Sequence, residues 1–279
     1  MLASAASNEE DFHGEFLGQG KIRRAPTSVN YWNSRRPLAP HLQPLAKNDS
    51  MLREFAIGRN RLGPMAQFSN SEIKRLLRPY GVDASSRLCD QIRAYTELLL
   101  DWNKRVSLTT VTDPAQIVRF HFGESMFAAY AVPIRNGRLA DVGAGPGFPS
   151  IPLRMANDGI IAIPIESNSK KSTFMSEIAR RLDLASVRPF RGRMEDFPLS
   201  EANFDWVIAR ALGMHRKLAN WAEEALSPNG NLVLWLADSD AAEISKLSDW
   251  IWRSPIKIPD SDRRVLLVGG RSHGPNRST

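Results

Sequence analysis

The sequence contains one cysteine, Cys89, among 279 residues, so no internal disulfide forms and no cysteine-rich zinc site can be assembled. Long apolar runs are missing too: none approaches the roughly 18 residues a membrane-crossing helix requires. The first residues, Met1 to Ala5, carry no basic charge and meet Asn8-Glu9-Glu10-Asp11 before an apolar stretch develops, so no secretory leader is expected. No internal repeat is present. Hydrophobic residues make up 42% and charged residues 24%, which excludes a wholly disordered or collagen-like chain. The expectation is a soluble, cytoplasmic, globular protein with no membrane and no metal.

Charge is the first positive feature. The chain has 37 Lys and Arg against 30 Asp and Glu, a formal +7, and a field of that sign favours polyanionic partners such as nucleic acid. Residues 1–64 combine this charge with scattered Pro, Gly and Asn and no sustained periodicity, and are expected to form a disordered basic extension. Helical patterning begins after Met65. Asn70 or Ser71 is placed to cap a helix through Tyr80, and Leu88, Ile92, Tyr95, Leu98, Leu99 and Trp102 fall at helical spacing. Asp113-Pro114 opens a further short helix through His121, and Glu124 to Tyr130 adds another. Residues 65–136 are therefore expected to form a helical cap.

From residue 137 to 270 short apolar runs alternate with amphipathic stretches. Strands are expected at 138–142, 160–165, 186–190, 204–209, 231–236, 255–258 and 264–268, and helices at 169–182, 215–226 and 239–246. This rhythm predicts an α/β fold, a doubly wound, mainly parallel Rossmann-like sheet, closed by two strands with no long helix between them. Residues 271–279 read as a flexible tail.

The segment richest in chemistry is Asp141-Val142-Gly143-Ala144-Gly145-Pro146-Gly147-Phe148-Pro149, between a strand and a helix. Gly143, Gly145 and Gly147 permit positive φ and let a ligand approach the backbone. Glu166 ends the next strand, where a carboxylate can accept hydrogen bonds from ribose hydroxyls. A dinucleotide fingerprint would read G-x-G-x-x-G and a phosphate loop would carry Gly-Lys-Ser/Thr; here the pattern is acid-x-G-x-G-x-G. Two acids beside the ligand repel a pyrophosphate but suit a sulfonium and an amino group, which points to S-adenosylmethionine as cofactor, with Asp141, Gly143, Ala144, Gly145, Gly147, Phe148 and Glu166 around it.

Six blocks in colinear order carry a resemblance: Trp102-Asn103 with Ser107-Leu108-Thr109; Arg119 to Ser125; Asp141 to Pro149; Arg193-Met194-Glu195-Asp196-Phe197; Phe204-Asp205 with Ala209-Arg210-Ala211; and Leu226 to Gly230. Over roughly residues 65–268 the chain resembles the RsmG (GidB) family, which methylates N7 of a guanine in small-subunit ribosomal RNA with S-adenosylmethionine. The resemblance implies that Gly143 and Phe148 contact the cofactor, that Met194 and Glu195 lie beside its adenine, and that Arg210 stands at the carboxyl edge of the sheet. The sequence departs from the family at several positions: Glu166 and Glu124 stand for aspartates, Ser107 for an asparagine, Ala237-Asp238 for Lys-Gly, and Arg263-Arg264 for Arg-His.

Guanine N7 has a free lone pair, so in-line methyl transfer needs alignment rather than a general base. No Asn/Asp-Pro-Pro-aromatic motif for exocyclic amines is present, and Cys89 lies away from the predicted strand ends. Arg210 is assigned to the cofactor or the guanine, the alternative being an ion pair with Glu195, Asp196 or Asp205. His121 is a second catalytic candidate, or a satisfied core histidine. Lys170, Arg188, Arg191 and Arg193 are candidate RNA contacts. The expected partner is small-subunit ribosomal RNA or an assembling small subunit, met by a monomer. Other readings are a diverged methyltransferase with another RNA or a small-molecule acceptor, and a non-catalytic RNA- or ribosome-binding protein that keeps the fold.

Overall fold

The computed structural model describes residues 68–272; the extension expected over residues 1–64 and almost all of the tail lie outside them. The first helix, α1 (Asn70–Leu77), is capped one residue earlier than the sequence predicts. Ser69 accepts from the Glu72 amide while Glu72 accepts from the Ser69 amide, a reciprocal capping box that only serine at 69 completes. A 3-10 turn, Arg78–Tyr80, follows and ends at Gly81 with φ of 72°. Helix α2 (Ser86–Asn103) buries Leu88, Ile92, Tyr95, Leu98, Leu99 and Trp102, the stripe its spacing predicts.

Asp113 accepts from the Gln116 amide and starts a helical run: Pro114–Gln116, a π-helical stretch Ile117–Gly123, then α3 (Glu124–Ala131). The sequence predicts two separate short helices here. Instead the run is continuous, and its wider turn, closed by the Glu124 amide on the Arg119 carbonyl, sits among residues that converge on the sheet edge.

Five parallel strands follow: β1 (Asn136–Val142), β2 (Gly159–Glu166), β3 (Phe190–Arg191), β4 (Phe204–Arg210) and β5 (Leu226–Ala237). Between them run α4 (Ser150–Ala156), α5 (Ser169–Arg181) and α6 (His215–Ala225); α7 (Asp238–Ile244) follows β5. Three strands, β6 (Trp250–Trp252), β7 (Ile256–Lys257) and β8 (Arg264–Arg271), complete the sheet in the order β3-β2-β1-β4-β5-β8-β6, with β7 beside β8. Antiparallel pairing is confined to β8, with β5, β6 and β7. The third strand is shorter than expected because Pro189 has no amide to donate: Arg188 still bonds to the Ala162 carbonyl, and regular pairing resumes at Phe190. Strand β6 has no counterpart in the sequence reading.

Both sheet faces are covered. One cluster joins Trp102, Tyr95, Ile117 and Phe122 of the helical segment to Ile151 of α4, to Phe174 and Ile178 of α5 and to the sheet residues Leu139 and Ile208. The other packs Leu218 and Ala222 of α6 and Ala241 of α7 on Val142, Ile163, Val207 and Leu234. Helices on both faces explain why the central strands are apolar throughout rather than alternating.

Candidate active site

Strand order reverses between β1 and β4, and at such a point the loops leaving the two strands diverge and open a crevice. The glycine loop leaves β1 there, and Arg210 and Leu212 leave β4 beside it. A Cβ placed on Gly143 would lie 3.1 Å from Leu212 Cδ1, so the two loops touch.

The loop's amides face inward. Gly143 and Ala144 donate to the Ile165 carbonyl at 2.9 and 3.2 Å, and Gly145 donates to Glu166 Oε2 at 3.0 Å. Gly147 and Phe148 donate to the Ala144 carbonyl, and Ser150, first in α4, donates to Asp141 Oδ2 at 3.1 Å. A phosphate-binding loop aims such groups outward at its ligand; here they are committed to β2 and to the loop itself. Gly145 has φ of 57° and open space where a Cβ would sit. Gly147, at φ of 99°, does not: a Cβ there would meet Ile151 Cδ1 at 2.5 Å and Tyr95 Oη at 2.6 Å. The loop is thus open on one side and clamped on the other.

The clamp is aromatic. Tyr95 stacks on Phe148 at 5.1 Å between ring centres and donates from its hydroxyl to the Pro146 carbonyl at 2.5 Å. His121 stacks on Phe148 at 4.7 Å, and its Nε2 lies 2.9 Å from Thr109 Oγ1. Thr109 is held in turn by Asn103, whose Oδ1 accepts from the Leu108 and Thr109 amides and whose Nδ2 donates to the Thr109 carbonyl. Asn103, Thr109, His121 and Phe148, distant in sequence, form one chain of contacts ending on the glycine loop. Burial, with Arg210 and Arg264 nearby, pushes the His121 pKa down to about 3, so the ring is neutral at physiological pH.

Asp141 lies beneath the loop with no exposed surface, and burial raises its carboxyl pKa to about 7 against the hydrogen bond from Ser150. Glu166 is nearly buried at the end of β2, its Oε1 accepting from the Asn168 amide at 2.8 Å and its Oε2 from Gly145, each oxygen retaining a lone pair. Met194 is buried just past β3, and the exposed Glu195 pairs with Lys217. Lys170 is exposed in the first turn of α5; Arg191 and Arg193 are exposed and Arg188 half-buried along the β3 edge.

Arg210 is engaged, but not with an acid the sequence nominated. Glu195 pairs with Lys217, Asp196 accepts from the Arg193 amide, and Asp205 accepts from the Arg138 amide. Its partner is Glu124, whose Oε2 lies 3.1 Å from Arg210 Nη2 and whose Oε1 lies 2.6 Å from Arg264 Nη2. Glu124 has no exposed surface, and its backbone carbonyl is fixed by Trp235 Nε1 at 3.0 Å. Burial raises the Glu124 pKa and the two guanidiniums oppose the rise. Sequence reasoning registered Glu124 and Arg264 as departures from a pattern and gave them no role, because their meeting depends on β8 returning antiparallel beside β5.

The strand order, the acid at the end of β1, and a glycine loop whose amides are turned away from phosphate define an S-adenosylmethionine-dependent methyltransferase. The residues present fit that cofactor: open space at Gly145, carboxylate acceptors at Glu166, and a buried apolar side chain at Met194. Residues 88–256 match the model of the GidB family, rRNA small subunit methyltransferase G. Proteins described as ribosomal RNA small subunit methyltransferase G are similar along most of their length. One from Streptococcus thermophilus (strain CNRZ 1066) is 30% identical over 215 residues, covering 72% of this chain and 91% of its own. One from Streptococcus gordonii is 32% identical over 223 residues, covering 74% and 93%. This chain belongs to the GidB family.

Proposed function

We propose that the protein transfers a methyl group from S-adenosylmethionine to N7 of a guanine in small-subunit ribosomal RNA, acting as a monomer on the RNA or on an assembling subunit. The observation that carries this reading is the juxtaposition at the switch point: a glycine loop open at Gly145 beside an arginine whose Nη1 is buried with no hydrogen-bond partner. When bound, S-adenosylmethionine supplies an electrophilic methyl group on a sulfonium, which a ring-nitrogen lone pair attacks without a general base. The chain's own contribution is alignment and charge. Gly143, Ala144, Gly145 and Phe148 form the surface under the cofactor, and Gly147 lets Tyr95 and Ile151 hold that surface in place. Glu166 accepts from the ribose hydroxyls, while Met194 and Glu195 border the adenine. Asp141 braces the loop from below.

Arg210, whose side chain is 16% exposed beside the glycine loop, donates to guanine O6. Arginine reads the O6/N7 edge of guanine, and a single donor to O6 leaves N7 free for the methyl group. His121, neutral and tied to Thr109, orients Phe148. Lys170, Arg188, Arg191 and Arg193 contact the RNA backbone, where positive charge supplies sequence-independent affinity.

The test is transfer of labelled methyl from S-adenosylmethionine to small ribosomal subunits, and to the RNA extracted from them, from a strain lacking this gene. Label is expected in 7-methylguanosine; label in any other nucleoside, or none while the cofactor binds, refutes the reading. Arg210→Ala is expected to lower turnover about 100-fold, the usual cost of removing one preorganised donor, while cofactor affinity by calorimetry changes little.

A further inference from the structure

Glu124, Arg210 and Arg264 reach the sheet edge from the helical segment, from the end of β4 and from the start of β8. One carboxylate meets two guanidiniums, so the group keeps one positive charge in excess. Glu124 is wholly buried and cannot touch a substrate, but the Arg264 side chain is 39% exposed. Its guanidinium lies over the Phe120 ring, 5.2 Å from the centroid, and its Nε donates to Ser261 Oγ at 3.1 Å, so with Glu124 its direction is fixed from three sides. The neighbouring Arg119 is neutralised by Asp260 at 2.7 Å, which leaves Arg264 as the outward cation of this group.

In the β5–β8 ladder the residue paired with Arg264 is Ala237. Directly paired residues on antiparallel strands lie about 4.5–5.5 Å apart. Position 237 carries no cation, while the arginine at 264 stands opposite it and pairs with the Glu124 carboxylate. The acid at 238 has a local explanation, because Asp238 is the first residue of α7 and donates its amide to the Arg263 carbonyl. A carboxylate in the first turn of a helix is stabilising.

We propose that Arg264 is a substrate-positioning cation that holds a backbone phosphate of the target RNA at the mouth of the site, and that Glu124 fixes it together with Arg210. The inference rests on the ribosomal RNA reading above. Arginine suits the task because its rigid guanidinium can turn Nη1 to a phosphate while Nε stays on Ser261 and Nη2 on Glu124.

The experiment measures binding of small-subunit ribosomal RNA, extracted from a strain lacking this gene, over a series of salt concentrations, alongside methyl transfer and cofactor calorimetry. Arg264→Met should weaken RNA binding about tenfold and reduce the slope of log affinity against log salt by about one, as loss of one phosphate contact does. Cofactor affinity should stay within about twofold, since no cofactor contact is assigned to Arg264. Adding Ala237→Lys to Arg264→Met should restore most of the slope and the affinity. Glu124→Gln should lower kcat at least tenfold without weakening RNA binding, because both cations remain and only their placement is lost. An unchanged slope in Arg264→Met, no recovery with Ala237→Lys, or parallel loss of cofactor and RNA binding with a lowered melting temperature would overturn the proposal while leaving wild-type methylation in place. Absence of RNA methylation by the wild type would remove the functional reading and this inference together.

Discussion

His121, half-buried, and Asp141, wholly buried, are titratable groups on either side of the glycine loop, and they respond to pH in opposite senses. The His121 pKa falls from 6.5 to about 3 on folding, so the unfolded chain binds the proton more tightly. Its contribution to stability is present above about 6.5 and is lost as pH falls toward 3. The Asp141 pKa rises from 3.8 to about 7, so its contribution is present below about 4 and is lost as pH rises through 7. The two windows overlap and largely cancel. Thermal melts between about pH 4.5 and 6.5 should be flat for these two sites in the wild type, rise with pH in Asp141→Asn, and fall with pH in His121→Gln; parallel profiles for all three would show that neither group titrates as described. The glycines separate in the same way. Gly145→Ala should cost about 1 kcal/mol, the left-handed penalty alone, yet reduce cofactor affinity more than tenfold, because its methyl group enters the open side of the loop. Gly147→Ala should cost about 2–4 kcal/mol, because its methyl group collides with Ile151 and Tyr95. The glycine pattern was legible in the sequence because three glycines between a strand and a helix have few other uses. The partner of Arg210 was not, because Glu124 lies far from it along the chain and looks like any acid at the start of a helix.

Among the elements, the loop after α2 shows how a short polar motif acts at a distance. Asn103 makes three bonds to residues 108 and 109, and Thr109 meets His121, which rests on Phe148. Asn103→Ala should lower stability by about 2–3 kcal/mol, from bonds worth roughly 1 kcal/mol each, and should also weaken cofactor binding although residue 103 is remote from the cofactor surface. Unchanged cofactor affinity at a reduced melting temperature would break the proposed chain at Thr109 or His121. Most elements followed from periodicity: α5 and α6 begin at the expected residues, and β1, β2 and β4 overlap their predicted runs. The failures have physical causes. Strand β6 is three residues long, Trp250–Trp252, too short for alternation to register. The π-helical stretch at Ile117–Gly123 changes the residues per turn, so a 3.6-residue template splits one continuous run into two.

Over the whole molecule, the formal charge of +7 is legible from composition, while its useful distribution is not. Arg191 and Arg193 lie at the β3 edge, on the opposite side of the switch point from Arg210 and Arg264. Changing both to serine should leave melting temperature and cofactor affinity unchanged and reduce the salt dependence of RNA binding by about two in slope; an unaltered slope would confine the RNA to the β4–β5–β8 side. The shared hydrophobic cluster has a consequence for biosynthesis. Trp102 packs edge-on against Phe174, and Tyr95 against Phe148 and Phe174, so the helices made first bury their aromatic face against residues made later. During translation the N-terminal helices must wait, with Trp102 and Tyr95 uncovered, until β1, the glycine loop, β2 and α5 have left the ribosome. A nascent chain stalled near residue 136 would display a sticky aromatic surface, so this stretch of the chain depends on uninterrupted synthesis or on a chaperone until α5 arrives.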